Sequence, residues 1–139
     1  MKKIWCIALL VLVFLATGIC AAEVPDLRGK WISSWNGYDE GIGFVNSAAE
    51  NESLIFIFAE QKGRLFAGNM TYMAKNGTRI SKDIAGAIGL DNKTLNLVEF
   101  DEGGYDAATI ISEDEIEMTH LDDGTNGDVA IDRLHRIKA

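Results

Sequence analysis

Beyond its first 22 residues this chain sustains no apolar stripe at helical spacing. What recurs instead is a short segment of β-branched and aromatic residues, cut roughly every ten residues by Gly, Asn or Asp. Strands are expected at 28–37, 53–60, 64–73, 79–88, 94–100, 105–112, 115–121 and 129–137. The connections between them have turn chemistry, as in Gln61-Lys62-Gly63, Lys75-Asn76-Gly77 and Leu90-Asp91-Asn92. One connection, 38–52, is long. The single proline, Pro25, precedes the first strand and costs no ladder hydrogen bond. The pattern predicts one all-β domain over 23–139, an eight-stranded antiparallel up-and-down barrel whose closure removes the exposed edges; a β-sandwich is the alternative.

The first 22 residues read differently. Lys2 and Lys3 precede an uncharged apolar run from Ile4 to Ala16, shorter than the ~20 residues of a spanning helix. Thr17 and Gly18 break the run, and small residues follow. This is the form of a cleavable secretory signal, with the cut expected after Ala22 and a second choice after Gly18. An uncleaved anchor and a lipidated Cys20 are the competing readings, the latter disfavoured by the bulk of Ile19. Cleavage removes Cys6 and Cys20, so the 117 residues left after taking 22 from 139 hold no cysteine and must be stabilised by packing alone. It also removes Lys2 and Lys3, taking the formal charge from −8 to −10. The expected location is secreted, periplasmic or cell-surface. So acidic a domain is a poor partner for nucleic acid, and no stable membrane insertion is expected after cleavage.

Gly29-Lys30-Trp31 opens the first expected strand, and Arg133 and Arg136 lie in the last. This resembles the calycins, the lipocalin and avidin type of barrel, in which a Gly-X-Trp near the start is covered by a basic side chain from the final strand. The hairpin from Gly63 to Tyr72 is similar to those of avidins. The resemblance implies structural roles for Gly29, Trp31, Arg133 and Arg136, with Arg136 preferred as the partner of Trp31, and it implies a ligand loosely. Avidins surround biotin with several tryptophans, whereas Trp31 and Trp35 are the only two after the leader, so biotin binding does not carry over.

Strand alternation then assigns the lining. Trp31, Ser33 and Trp35 share one face of the first strand, Phe66, Gly68, Met70 and Tyr72 one face of the third, and Ile116, Met118 and His120 one face of the seventh. These residues predict a mostly apolar lumen with Ser33, Tyr72 and His120 as polar handles, in a barrel narrow enough that side chains could also fill it. The open-end connections carry Asp39, Glu40, Glu50, Glu52, Asp101, Glu102, Asp122, Asp123 and Asp128 against Lys75 and Arg79, so a negative rim is expected. Such a rim disfavours anions and suits a neutral or cationic small molecule.

The segment 38–52 places Tyr38, Ile42 and Phe44 among Gly37, Gly41 and Gly43. Tyr38 or Phe44 is expected to fold inward over the mouth; the alternative is a short strand that makes Phe44 core. The candidate ligand-binding residues are thus Trp35, Tyr38, Phe44, Met70, Tyr72 and His120. No nucleophile elbow, P-loop or zinc motif is present, and His120 with His135 lacks a matched third ligand. No catalytic residue, metal or cofactor is therefore expected, and the chain reads as a non-enzyme. The stretch Asp122 to Asp128 fails as an EF-hand, having Gly124 at position 3 and Arg133 at position 12. Asn51, Asn69, Asn76 and Asn92 each begin an N-X-Ser/Thr sequon and are candidate glycosylation sites.

Overall fold

The computed structural model describes residues 23–47, 54–74, 77–100, 104–125 and 127–138. The expected signal segment, with Cys6 and Cys20, and the sequons at Asn51 and Asn76 lie outside the described residues. The alternating segments form strands β1 (Gly29–Asp39), β2 (Gly43–Asn46), β3 (Leu54–Lys62), β4 (Leu65–Met73), β5 (Arg79–Ile88), β6 (Thr94–Glu99), β7 (Tyr105–Ser112), β8 (Glu115–Asp122) and β9 (Asp128–Ile137). Apart from β2, they form a closed eight-stranded antiparallel barrel in which each strand pairs with the next and β9 returns to β1.

The closing pair is continuous, running in register from Lys30↔Ile137 to Asp39↔Asp128. The extra strand is where the structure departs from the sequence expectation. Half of what reads as a long loop turns back at once, so that Gly43–Asn46 pairs with Asn36 to Asp39 while β3 pairs with Gly29 to Ser33 lower on the same side of β1. The first strand is longer than expected for the same reason: its upper half has a partner on both edges.

The lower half of the barrel is packed with side chains. Trp31 and Leu134 are fully buried, and Trp31, Phe56, Phe58 and Phe66 form a linked aromatic group. Phe58 meets Phe66 edge-on at 5.1 Å between ring centroids, a geometry favoured by the ring quadrupoles. The wall bends sharply beside this group. β3 carries a bulge between Phe58 and Glu60, and Gly68 opposite it approaches so closely that a Cβ there would lie 1.8 Å from the Ile57 carbonyl oxygen. The structure requires glycine at this position.

The segment before β1 plugs the closed end. Leu27 is buried, its N–H donates to Gln61 Oε1, and its carbonyl accepts from Trp31 Nε1 at 3.0 Å. Arg136 then covers the indole, with its guanidinium carbon 4.2 Å from the ring centroid. It donates to the carbonyl oxygens of Arg28 (2.6 Å), Asp26 (2.7 Å) and Glu113 (3.1 Å), joining the plug to the β7–β8 turn. Gly29 has φ +135, and a Cβ on it would meet Arg136 Nη1 at 3.3 Å, so glycine suits both the backbone and the clamp. Arg133 does not share this role. Strand alternation turns it outward, where it pairs with Glu115 at 2.7 Å and with Glu117.

Urea unfolding of three variants checks this division of labour. Trp31→Ala is expected to cost about 3–5 kcal/mol through the cavity it leaves. Arg136→Lys should destabilise because an ammonium cannot reproduce the planar fork, whereas Arg133→Lys should stay within about 0.5 kcal/mol as a surface change. A larger loss for Arg133→Lys than for Arg136→Lys contradicts the assignment.

Candidate functional site

Above the Phe56 level the inward-facing series changes character. The residue two places after Leu97 is Glu99, and two places before Ala108, Leu134 and Ile84 stand Asp106, Asp132 and Lys82. The alternation that points the apolar residues inward points these inward too. With His120 of β8 they enclose the polar side of a cavity of about 380 Å³. Its apolar side is made by Trp35, Leu54, Phe56, Met70, Tyr72 and Met118, and Asp39, Asp122 and Asp128 stand toward its mouth.

The ionisable groups interlock. His120 Nδ1 lies 2.8 Å from Asp106 Oδ1 and 3.4 Å from Glu99 Oε1, and its Nε2 lies 3.6 Å from Asp128 Oδ1. Lys82 Nζ donates to Glu99 Oε2 at 3.0 Å and sits 5.6 Å from the centre of the Tyr72 ring. Ser33 donates its hydroxyl to Asp132 Oδ1 at 2.7 Å. Asp106 and Asp132 are 2% and 1% exposed, so these charges are held well away from bulk water.

Their proton affinities follow from that burial. Desolvation alone would lower the His120 pKa, but the Asp106 hydrogen bond and the charges of Asp106, Glu99 and Asp128 outweigh it and raise it to about 9. Burial pushes Asp132 up to about 6 despite the Ser33 bond, helped by the neighbouring Asp106 and Glu99. Asp128 is raised as well, first by desolvation and then by Asp39 and Asp122, against the pull of His120. At neutral pH, Lys82 and an imidazolium at His120 therefore face the carboxyl groups of Glu99, Asp106, Asp128 and Asp132, and the chamber is acidic.

Two buried polar atoms have no hydrogen-bond partner among the described residues: Asp106 Oδ2 and Trp35 Nε1. An unpaired buried acceptor or donor costs about 1–3 kcal/mol, and both atoms belong to residues that line the cavity. Glu99, Asp106 and His120 can also bring one ligand atom each within 4.8 Å of one another, a spacing compatible with a bound divalent cation.

Of the residues expected to bind a ligand, Trp35, Met70, Tyr72 and His120 line the cavity. Tyr38 and Phe44 do not fold over the mouth. They are cross-strand neighbours in the β1–β2 hairpin, on the outer face, with ring centroids 5.2 Å apart and Phe44 91% exposed. Tyr38 is out of phase with Trp35 and Asp39, which explains its direction. The short-strand alternative is right about the strand at Gly43–Asn46, but Phe44 is not core. His135 faces outward from β9 and does not meet His120. Asn69 is half-buried in β4, and Asn92 sits in the β5–β6 turn at φ +55. The upper lumen is much more polar than expected. Glu99, Asp106, Asp132 and Lys82 lie within the expected strands 94–100, 105–112, 129–137 and 79–88, each in phase with an apolar neighbour two residues away, but the expected lining drew on the first, third and seventh strands and did not include them.

No family model matches the chain, and no curated protein matches it. Solved structures do. A redesigned β-barrel aligns with TM-score 0.60 at 12% identity, over 81% of this chain and 92% of its own. The redesigned barrel mFAP0, bound to DFHBI, aligns with TM-score 0.56 at 12% identity over 79% and 98%. A further barrel, EF1p2_mFAP2b, also bound to DFHBI, aligns with TM-score 0.56 at 12% identity over 80% and 94%. At this identity the likeness shows the fold alone: this chain is a small eight-stranded antiparallel barrel.

The charge arrangement predicts a pH response. The folded-state pKa of His120 is raised from 6.5 to about 9, so its contribution to stability is fully present below pH 6.5 and is lost as the pH rises through 9. The melting temperature of the wild type should fall between pH 7 and 10 by more than that of His120→Gln. Parallel curves for the two proteins would show that His120 is not held as an imidazolium.

Proposed function

We propose that this protein is an exported, non-enzymatic barrel that binds a small neutral or cationic molecule in its open half. One observation carries the reading. The closed half is filled by Trp31, Phe58, Phe66 and their neighbours, whereas the open half retains about 380 Å³ lined on one side by apolar groups and on the other by polar ones. That size and mixed lining are those of small-molecule sites, and the carboxylates favour a cationic over an anionic occupant. Two of the structurally similar proteins are bound to DFHBI, which supports a small-molecule site in a barrel of this fold. The Gly29, Trp31 and Arg136 arrangement supports a calycin-type origin, and the apolar run from Ile4 to Ala16 supports export.

A second reading, an interaction module of the cell exterior, is favoured by the outward aromatic pair. Tyr38, Ile42 and Phe44 are 50%, 60% and 91% exposed and lie within one hairpin. The two readings separate experimentally, because Phe44→Ala touches the hairpin and leaves the lumen unchanged.

A neutral environment-sensitive fluorophore, N-phenyl-1-naphthylamine, should bind with enhanced emission. A ligand present at 100 times its Kd should stabilise the fold by about 2.7 kcal/mol. Ala130 lines the cavity, so Ala130→Phe is expected to abolish the signal while the circular dichroism remains that of the folded barrel. Phe44→Ala should leave binding unchanged. Binding that survives Ala130→Phe and is lost in Phe44→Ala would place the site on the outer hairpin.

A further inference from the structure

The two unpartnered atoms narrow the ligand further. Trp35 Nε1–H is a donor and Asp106 Oδ2 an acceptor, and both residues line the same cavity. They belong to β1 and β7, which are separated by β9 and β8 in the barrel wall, so they address different parts of an occupant. Asp106 is the more demanding of the two. Its Oδ1 is engaged by His120, it is 2% exposed, and its second oxygen receives no protein donor among the described residues.

Resting on the small-molecule reading above, we propose that the ligand is an organic ammonium on an apolar, ring-bearing body, and that the Asp106 and Trp35 side chains turn these enclosed atoms to it, Asp106 Oδ2 accepting from its N–H and Trp35 Nε1–H donating to an acceptor atom. The charge inventory agrees. Lys82 and His120 are both committed to carboxylates, Lys82 to Glu99 and His120 to Asp106, Glu99 and Asp128, and Asp132 adds a further acid that bonds Ser33. One more positive charge fits this set, and an anion would meet it unfavourably. The apolar side suits the body of the ligand, since Trp35, Phe56 and Tyr72 present aromatic surface and Met70 and Met118 offer adaptable thioethers. The ammonium supplies a charge-assisted hydrogen bond to a desolvated carboxylate, the strong class of such bonds.

Titration calorimetry with a matched set of probes tests this. Tyramine carries the ammonium, the ring and an acceptor oxygen. 4-Ethylphenol lacks the ammonium, phenethylamine lacks the oxygen, and 4-hydroxyphenylpropionate exchanges the ammonium for a carboxylate. Tyramine should bind one to one, and both 4-ethylphenol and the carboxylate at least tenfold more weakly. Loss of a hydrogen bond to a charged group corresponds to about a tenfold to hundredfold drop in affinity. Asp106→Asn should produce that drop for tyramine and leave 4-ethylphenol unchanged, and Trp35→Phe should bring tyramine down to the level of phenethylamine. If Asp106→Asn does not fold, the wild-type ratio of tyramine to 4-ethylphenol decides. Equal or tighter binding of 4-ethylphenol or the carboxylate, with N-phenyl-1-naphthylamine still bound, overturns the ammonium and leaves the small-molecule reading standing. No binding of any probe, the fluorophore included, overturns both. Stoichiometric Zn²⁺ binding that excludes tyramine and is lost in His120→Asn assigns the carboxylates to a metal and overturns the ammonium.

Discussion

Everything inside this molecule depends on the pairing of the first strand with the last. The β1–β9 ladder runs the full length from Lys30 to Asp39 and converts an open sheet with two edges into a barrel with an inside. No disulfide assists it among the described residues, since the chain's two cysteines, Cys6 and Cys20, both lie outside them. The guanidinium of Arg136 provides a second lock, since it lies on β9, covers the Trp31 indole on β1, and holds the plug residues Asp26 and Arg28 by their carbonyl oxygens. Closure and clamp together keep the lower half dry and close-packed.

A dry lower half is what allows an acidic upper half. Carboxylates as buried as Asp106 and Asp132 are costly unless they are paired or hydrogen-bonded, and here the pairing is incomplete. His120 and Lys82 neutralise part of the set, Ser33 serves Asp132, and one oxygen of Asp106 has no partner among the described residues. The aromatic core below supplies the stability that such a chamber consumes. The barrel therefore differs along its axis, with close packing at the closed end and a cavity walled by ionisable groups at the open end.

Much of this division was legible in the sequence. Regular turn chemistry, strand alternation and the absence of helical periodicity led to an eight-stranded barrel, and Gly29-Lys30-Trp31 led to the Trp31–Arg136 contact. Trp35, Met70, Tyr72 and His120 were placed in the lumen by parity alone. Parity also held the answer for Tyr38, which is out of phase with Trp35; the attraction of a glycine-rich loop and a lid obscured it. Arg133, the less favoured partner for Trp31, is one residue out of phase with Leu134 and faces outward. The buried acids were harder to find, because a carboxylate beside a turn is ordinarily a solvated surface group. Closure of the sheet, a long-range event, turns Glu99 and Asp106 into lumen residues.

The central claim is that the open half of the barrel is a hollow acidic chamber with an unsatisfied carboxylate in its wall. A high-resolution crystal structure grown with an aryl-alkyl ammonium such as tyramine tests it most directly. The account predicts density for the amine inside the chamber, with its nitrogen within about 3 Å of Asp106 Oδ2 and the lower core unchanged. A chamber collapsed onto its own side chains, with Asp106 Oδ2 bonded to a protein donor and no ligand inside, would contradict it.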